Sequence, residues 1–142
     1  MPKTYYFSTK KMAAKHAGGD YSTAHGPFVV GERIIFGHIT ITRGTQAELH
    51  SHPNEQFMLI EKGRARMEVG GQKKTVGPGD MILIPANTLH SCKVTGNQDL
   101  VFTTAKDTSW SIHGVKAAQK APAGPKKAAP RKKAPAGRKA AR

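Results

Sequence analysis

Four side chains with lone pairs to offer stand at suggestive spacing in this chain of 142 residues. In the stretch HSHPNEQ, His50 and His52 lie two apart and Gln56 keeps their parity. Alternate residues of an extended segment project from one face, so both rings and the amide point the same way, although Pro53 and Asn54 can bend the chain between them. Further on, GDMILIPANTLH ends at His90 on what reads as a neighbouring strand. Neutral imidazoles and an amide oxygen are ligands for a divalent metal ion such as Zn, Ni, Mn, Fe or Cu. The amide is the unusual member, because the carboxylate of Glu55 is next door. Three imidazoles and an amide leave the ion its full double charge, which makes it a harder Lewis acid and a more weakly bound one.

The elements that must position these residues read as short strands. RIIFGHITITR is rich in Ile and Thr, and QFMLIEKG, RARMEVGG, KKTVGPGD, MILIPAN, HSCKVTGN and DLVFTTAKD follow, each closed by Gly, Pro, Asn or Asp. Strands at this spacing predict an antiparallel all-β sandwich or barrel. The helical signal is confined to KKMAAKHA near the start, either a cap over one barrel end or an irregular piece.

Placed on these strands, the motifs resemble those of small single-domain cupins, the double-stranded β-helix or jelly-roll family. The family's first pattern, G(X)5HXH(X)3-4E(X)6G, falls on Gly44, His50, His52, Gln56 and Gly63. Its second, G(X)5PXG(X)2H(X)3N, falls on Gly79, Pro85, Asn87, His90 and Val94. Spacing fits throughout, and three identities depart: Gln56 for Glu, Asn87 for Gly, Val94 for Asn. Asn87 can take the left-handed turn conformation that Gly supplies. The resemblance spans roughly residues 30 to 105 and implies a metal held by His50, His52, Gln56 and His90. A glutamine variant of the first motif is similar to that of sugar-acid ring-opening enzymes and certain polyketide cyclases, whose chemistry is non-redox.

Other roles are open to the same residues. His50 and His52 could be surface histidines and Gln56 a barrel polar residue. His16, His25, His38 and His113 fall outside the motif spacing. Cys92 shares the parity of His90, as a cavity-wall residue or a small buried hydrophobe. Glu55 should face away from the ligands, while Glu48 shares their parity and could reach the cavity mouth as an acid or base. Met58 and Ile60 should line the interior with Met67, Ile82 or Ile84, and Phe102, giving an apolar wall suited to a small ligand with few oxygens. Phe57 and Leu59 should point outward, and an apolar outer face calls for a cover, for which a homodimer is the expectation.

Charge divides the chain. The net charge is +14, yet residues 116 to 142 carry ten Lys plus Arg and no acid, leaving the body at +4. That Ala/Lys/Pro-rich segment resembles linker-histone-type tails and has too little apolar bulk to fold. It could hold nucleic acid or another polyanion without sequence preference, or act as a solubilising tail. The expected organisation is an N-terminal extension over 1–29, a barrel over 30–115 and a disordered basic tail over 116–142. A single cysteine and the lack of a membrane-length apolar run point to a cytoplasmic protein. Three functions fit: a metal-dependent lyase, isomerase or cyclase, a three-His iron dioxygenase, and a non-catalytic metal- or ligand-binding module docked to nucleic acid by its tail.

Overall fold

Strict alternation of side chains governs the longest strands of the structure, a computed structural model that describes residues 4–117. The eight-residue strand β11 (Leu100–Asp107) turns Leu100, Phe102, Thr104 and Lys106 inward. Its neighbours β4 (Ile34–Ile41) and β6 (Gln56–Lys62) do likewise with Ile35, Ile39 and Ile41, and with Gln56, Met58 and Ile60. Complete burial of each such aliphatic side chain stabilises the fold by about 1.5–3 kcal/mol.

Two antiparallel sheets enclose this core, as the strand spacing predicts. The first runs β1 (Lys15–His16), β2 (His25–Gly26), β4, β11, β6 and β9 (Met81–Ile84), with β3 (Phe28–Val30) also paired to β4. The second runs β12 (Val115–Lys116), β5 (Gln46–Ser51), β10 (His90–Thr95), β7 (Arg64–Val69) and β8 (Gln72–Val76). This is the all-β jelly-roll barrel, and the described residues contain no helix. KKMAAKHA is correspondingly not helical. It holds a turn in which Ser8 accepts from Lys11 and Met12, then enters β1. Gly18 and Gly19 follow at once and stop any helix there.

Two backbone positions show why the motif spacing matters. Gly63 turns β6 into β7 at φ +84°, and a Cβ there would meet the Asp99 carbonyl oxygen at 2.3 Å. Asn87 stands where the cupin pattern has glycine and takes φ +58°, as its short polar side chain allows. Its N–H donates to the carbonyl of His52 at 2.8 Å, which ties the second motif to the first.

The expected division at 115/116 falls inside β12, whose Val115 and Lys116 pair with Ser51 and His50. Beyond Ala117 the basic segment lies outside the described residues.

Candidate metal centre

His50 comes from β5, His52 from the turn after it, Gln56 from the first position of β6 and His90 from the first position of β10. All four are buried. The ligand atoms of the three histidines lie within 4.8 Å of one another.

An extra residue in β5 helps to set this geometry. His90 pairs with His50, yet Cys92 pairs with Ala47, so two steps on β10 oppose three on β5. Such a β-bulge bends the strand and re-aims its side chains. Glu48 therefore points to solvent despite sharing parity with the histidines, and its carboxylate pairs with Lys116 at 2.9 Å. Both its backbone groups bond away from β10. Its N–H reaches the carbonyl of Tyr21 at 3.0 Å, and its C=O accepts from His50 Nδ1 at 2.6 Å.

The same device fixes each ring. Nδ1 of His52 faces the Asn54 carbonyl at 2.8 Å, and Nδ1 of His90 faces the Thr88 carbonyl at 2.8 Å. A carbonyl only accepts, so in all three neutral rings the proton sits on Nδ1 and Nε2 carries the lone pair. Burial, their mutual proximity and the nearby Lys106 keep the rings neutral. Desolvation lowers the pKa of His50 to about 4 and of His90 to about 3, and lowers that of His52. Nε2 of His90 is buried with no hydrogen-bond partner.

Gln56 completes a converging set. Thr104 gives its hydroxyl proton to the Phe57 carbonyl at 2.9 Å, so its oxygen accepts from Gln56 Nε2, also at 2.9 Å. This fixes the amide with Oε1 towards His52 Nε2, 3.1 Å away. Two acceptors face each other across that gap. An orphaned imidazole nitrogen and two opposed lone pairs suit a cation, so these residues fit a divalent metal ion.

Around the centre, Tyr21 stacks on His50 with ring centroids 4.1 Å apart. Its hydroxyl accepts from the Gly114 N–H at 2.8 Å, and burial raises its pKa to about 12. Gly114 approaches so closely that a Cβ there would lie 2.8 Å from His50 Cδ2. Asn54, fully buried, donates to the carbonyls of Asp107 and Ser111 at 2.9 and 3.1 Å, pinning the chain that leads to β12. A cavity of about 60 Å³ borders His50, His90 and Gln56.

The interior residues expected from parity divide. Met58, Met67, Cys92 and Phe102 line this cavity. Ile60 instead belongs to the solid core, and Ile82 lies on a separate groove with Val69 and Met81, so Ile84 takes its place on the wall. Strand β9 is the last strand of its sheet, and its alternation puts Ile84 inside with Ile82 only partly covered. Cys92 is buried and its thiol is pushed up to about 12 by desolvation, which makes it a hydrophobe, not a nucleophile. Glu55 is exposed, as expected. His16, His25 and His38 bond to Gly19, Thr23 and Glu61, away from the cluster.

Sequence reasoning missed Thr104 and Lys106. Both share the parity of Phe102 on β11, which was the available signal. Lys106 is only 7% exposed and donates to the Ile112 carbonyl at 2.6 Å. Desolvation brings its ammonium down to about 8.

Residues 37–106 match the cupin domain family, and with the two-sheet barrel and its three-His cluster they constitute a cupin domain. Solved cupins share the fold at low identity. An RmlC-like cupin from Shewanella frigidimarina is 14% identical with a TM-score of 0.63, covering 73% of this chain and 90% of its own. KdgF from Halomonas sp. is 19% identical at TM-score 0.62, covering 73% and 93%. A predicted oxalate decarboxylase from Thermotoga maritima is 20% identical at TM-score 0.54, covering 59% and 79%. No curated protein matches the sequence.

Proposed function

We propose that this cupin is a metal-dependent enzyme of non-redox type, a lyase, isomerase or cyclase acting on a small oxygen-bearing molecule. His50, His52, His90 and Gln56 are its ligands. The carrying observation is the amide of Gln56, fixed by Thr104 so that Oε1 opposes His52 Nε2 at 3.1 Å. A divalent ion held by four neutral ligands supplies Lewis-acid polarisation of a carbonyl or hydroxyl and acidifies bound water. The neutral set lacks the carboxylate of the two-His-one-carboxylate iron oxygenases.

The chain's own residues do the rest. The carbonyls of Glu48, Asn54 and Thr88 hold the rings in one tautomer, so no proton must be lost before a ligand bond forms. Lys106 holds a positive charge beside the ligands. Tyr21, Ile112 and the apolar wall limit water at the cavity.

Metal analysis of the purified full chain tests this. His50→Ala and His90→Ala should each lose most of the bound divalent ion while the barrel still folds, and metal content unchanged in both removes the reading. Oxygen uptake coupled to turnover would favour the iron dioxygenase, and tight binding without product the non-catalytic module. The working assembly in this reading is a homodimer, and the basic tail is a non-specific contact for polyanions.

A further inference from the structure

Lys106 is a buried charged residue beside the proposed ligands without being one of them. Its Nζ donates to the Ile112 carbonyl at 2.6 Å, and an ammonium carries three donors. Among the described residues neither ion pair involves it. A buried cation held by a neutral carbonyl is costly relative to a paired one.

The cavity explains what could offset that cost. Lys106 borders the same space as His50, His90 and Gln56, and much of the remaining wall is apolar, with Met58, Ile84 and Phe102 among it. The volume of about 60 Å³ is small beside the roughly 300–1,000 Å³ of a drug-sized ligand's pocket. That favours a ligand of few heavy atoms over a nucleotide. A phosphate or sulfate brings up to two negative charges, and the wall offers one ammonium. A carboxylate needs one cation at one end, and an oxygen on its α-carbon can address the ligand cluster at the other.

Building on the metal-centre reading, we infer that Lys106 is the anion-binding residue of a subsite for a small 2-oxo or 2-hydroxy acid. The carboxylate takes the two N–H bonds that the Ile112 carbonyl leaves, and the α-oxygen faces the three histidines. Lys106 thereby selects charged acids over neutral analogues of the same shape.

The test uses the full chain loaded with Co(II), titrated calorimetrically with pyruvate and with pyruvamide, its neutral isostere. Pyruvate should bind at least tenfold more tightly than pyruvamide. Lys106→Met should keep its cobalt, melt no lower than wild type, lose tenfold or more of the pyruvate affinity, and bind pyruvamide as wild type does. Equal affinities for the two probes in wild type overturn the inference, and this comparison decides even if Lys106→Met fails to fold. Cobalt bound with no pyruvate binding overturns it alone, whereas a wild-type chain that takes up no cobalt overturns the metal centre and this subsite together.

Discussion

The side-chain oxygen of Gln56 stands 3.1 Å from Nε2 of His52, with a lone pair on each side of the gap. Thr104 enforces the arrangement, because its proton is committed to Phe57 and it can only accept from the amide. In Gln56→Glu a carboxylate oxygen would face the Thr104 oxygen, and the hydroxyl must turn away from Phe57 to donate to it. That rearrangement costs about 1 kcal/mol, less than a direct charge attraction to a bound dication returns. Gln56→Glu should therefore bind Zn(II) about tenfold or more tightly in a chelator competition and turn substrate over more slowly. Thr104→Val should weaken Zn(II) binding about 10–100-fold by releasing the amide. Unchanged affinity in both variants would mean that Gln56 is no ligand.

The metal-free protein should be acid-sensitive in an unusual window. His50 and His90 titrate at about 4 and about 3 in the folded chain, against 6.5 for an ordinary ring. Between pH 6.5 and 4 the unfolded chain thus binds more protons, and stability falls as pH falls. From pH 7 to 5, above the carboxylate range, each ring should cost about 2 kcal/mol. Thermal melts in EDTA should show a midpoint lower by roughly 10 °C or more at pH 5. A midpoint that holds steady would contradict the buried, neutral cluster.

How far the site could be read in advance depended on whether alternation held. It holds from Gln56 to Ile60 in β6, so Gln56, Met58 and Phe57 lie where parity puts them. It fails at the bulge in β5, where Glu48 turns outward, because a one-residue insertion leaves no mark in composition. Asn87 was legible, since few residues besides Gly and Asn accept φ +58° cheaply. Lys106 was passed over because a lysine on an inward register contradicts the usual pattern of burial. Tyr21 was beyond reach. Its place against His50 depends on a 93-residue return of the chain, from Tyr21 to Gly114.

Outer-face residues make the assembly testable. Leu83 pairs with Phe57, Phe57 with Ala105, and Ala105 with Phe36, an unbroken apolar row across β9, β6, β11 and β4. Phe57, Phe36 and Leu83 are all exposed. A second copy would cover this row, so light scattering at micromolar concentration should give a dimer. Phe57→Lys should yield a folded monomer with its metal retained. A wild-type monomer would sink the proposal.

Removal of the basic segment should be cut after Ala117, because β12 and the bond from Ala117 N–H to the Leu49 carbonyl belong to the barrel. Residues 118–142 still carry nine of the basic side chains, Lys116 being the tenth. The truncated protein should melt within about 0.5 kcal/mol of the full chain and lose retention on heparin or DNA. Retention that survives would place the polyanion site on the barrel.

The phenol of Tyr21 lies 4.1 Å from the ring of a proposed ligand, stacked nearly parallel to it at 22°. Coordination would draw electron density from that imidazole and so change the surroundings of a chromophore in van der Waals contact with it. The protein thus carries its own optical probe. Among three tyrosines and one tryptophan, Tyr21 alone has its hydroxyl bonded to the Gly114 N–H while its ring covers His50. An ultraviolet difference spectrum during metal titration would accordingly report occupancy and seating of the 112–116 segment in one signal, without label or substrate.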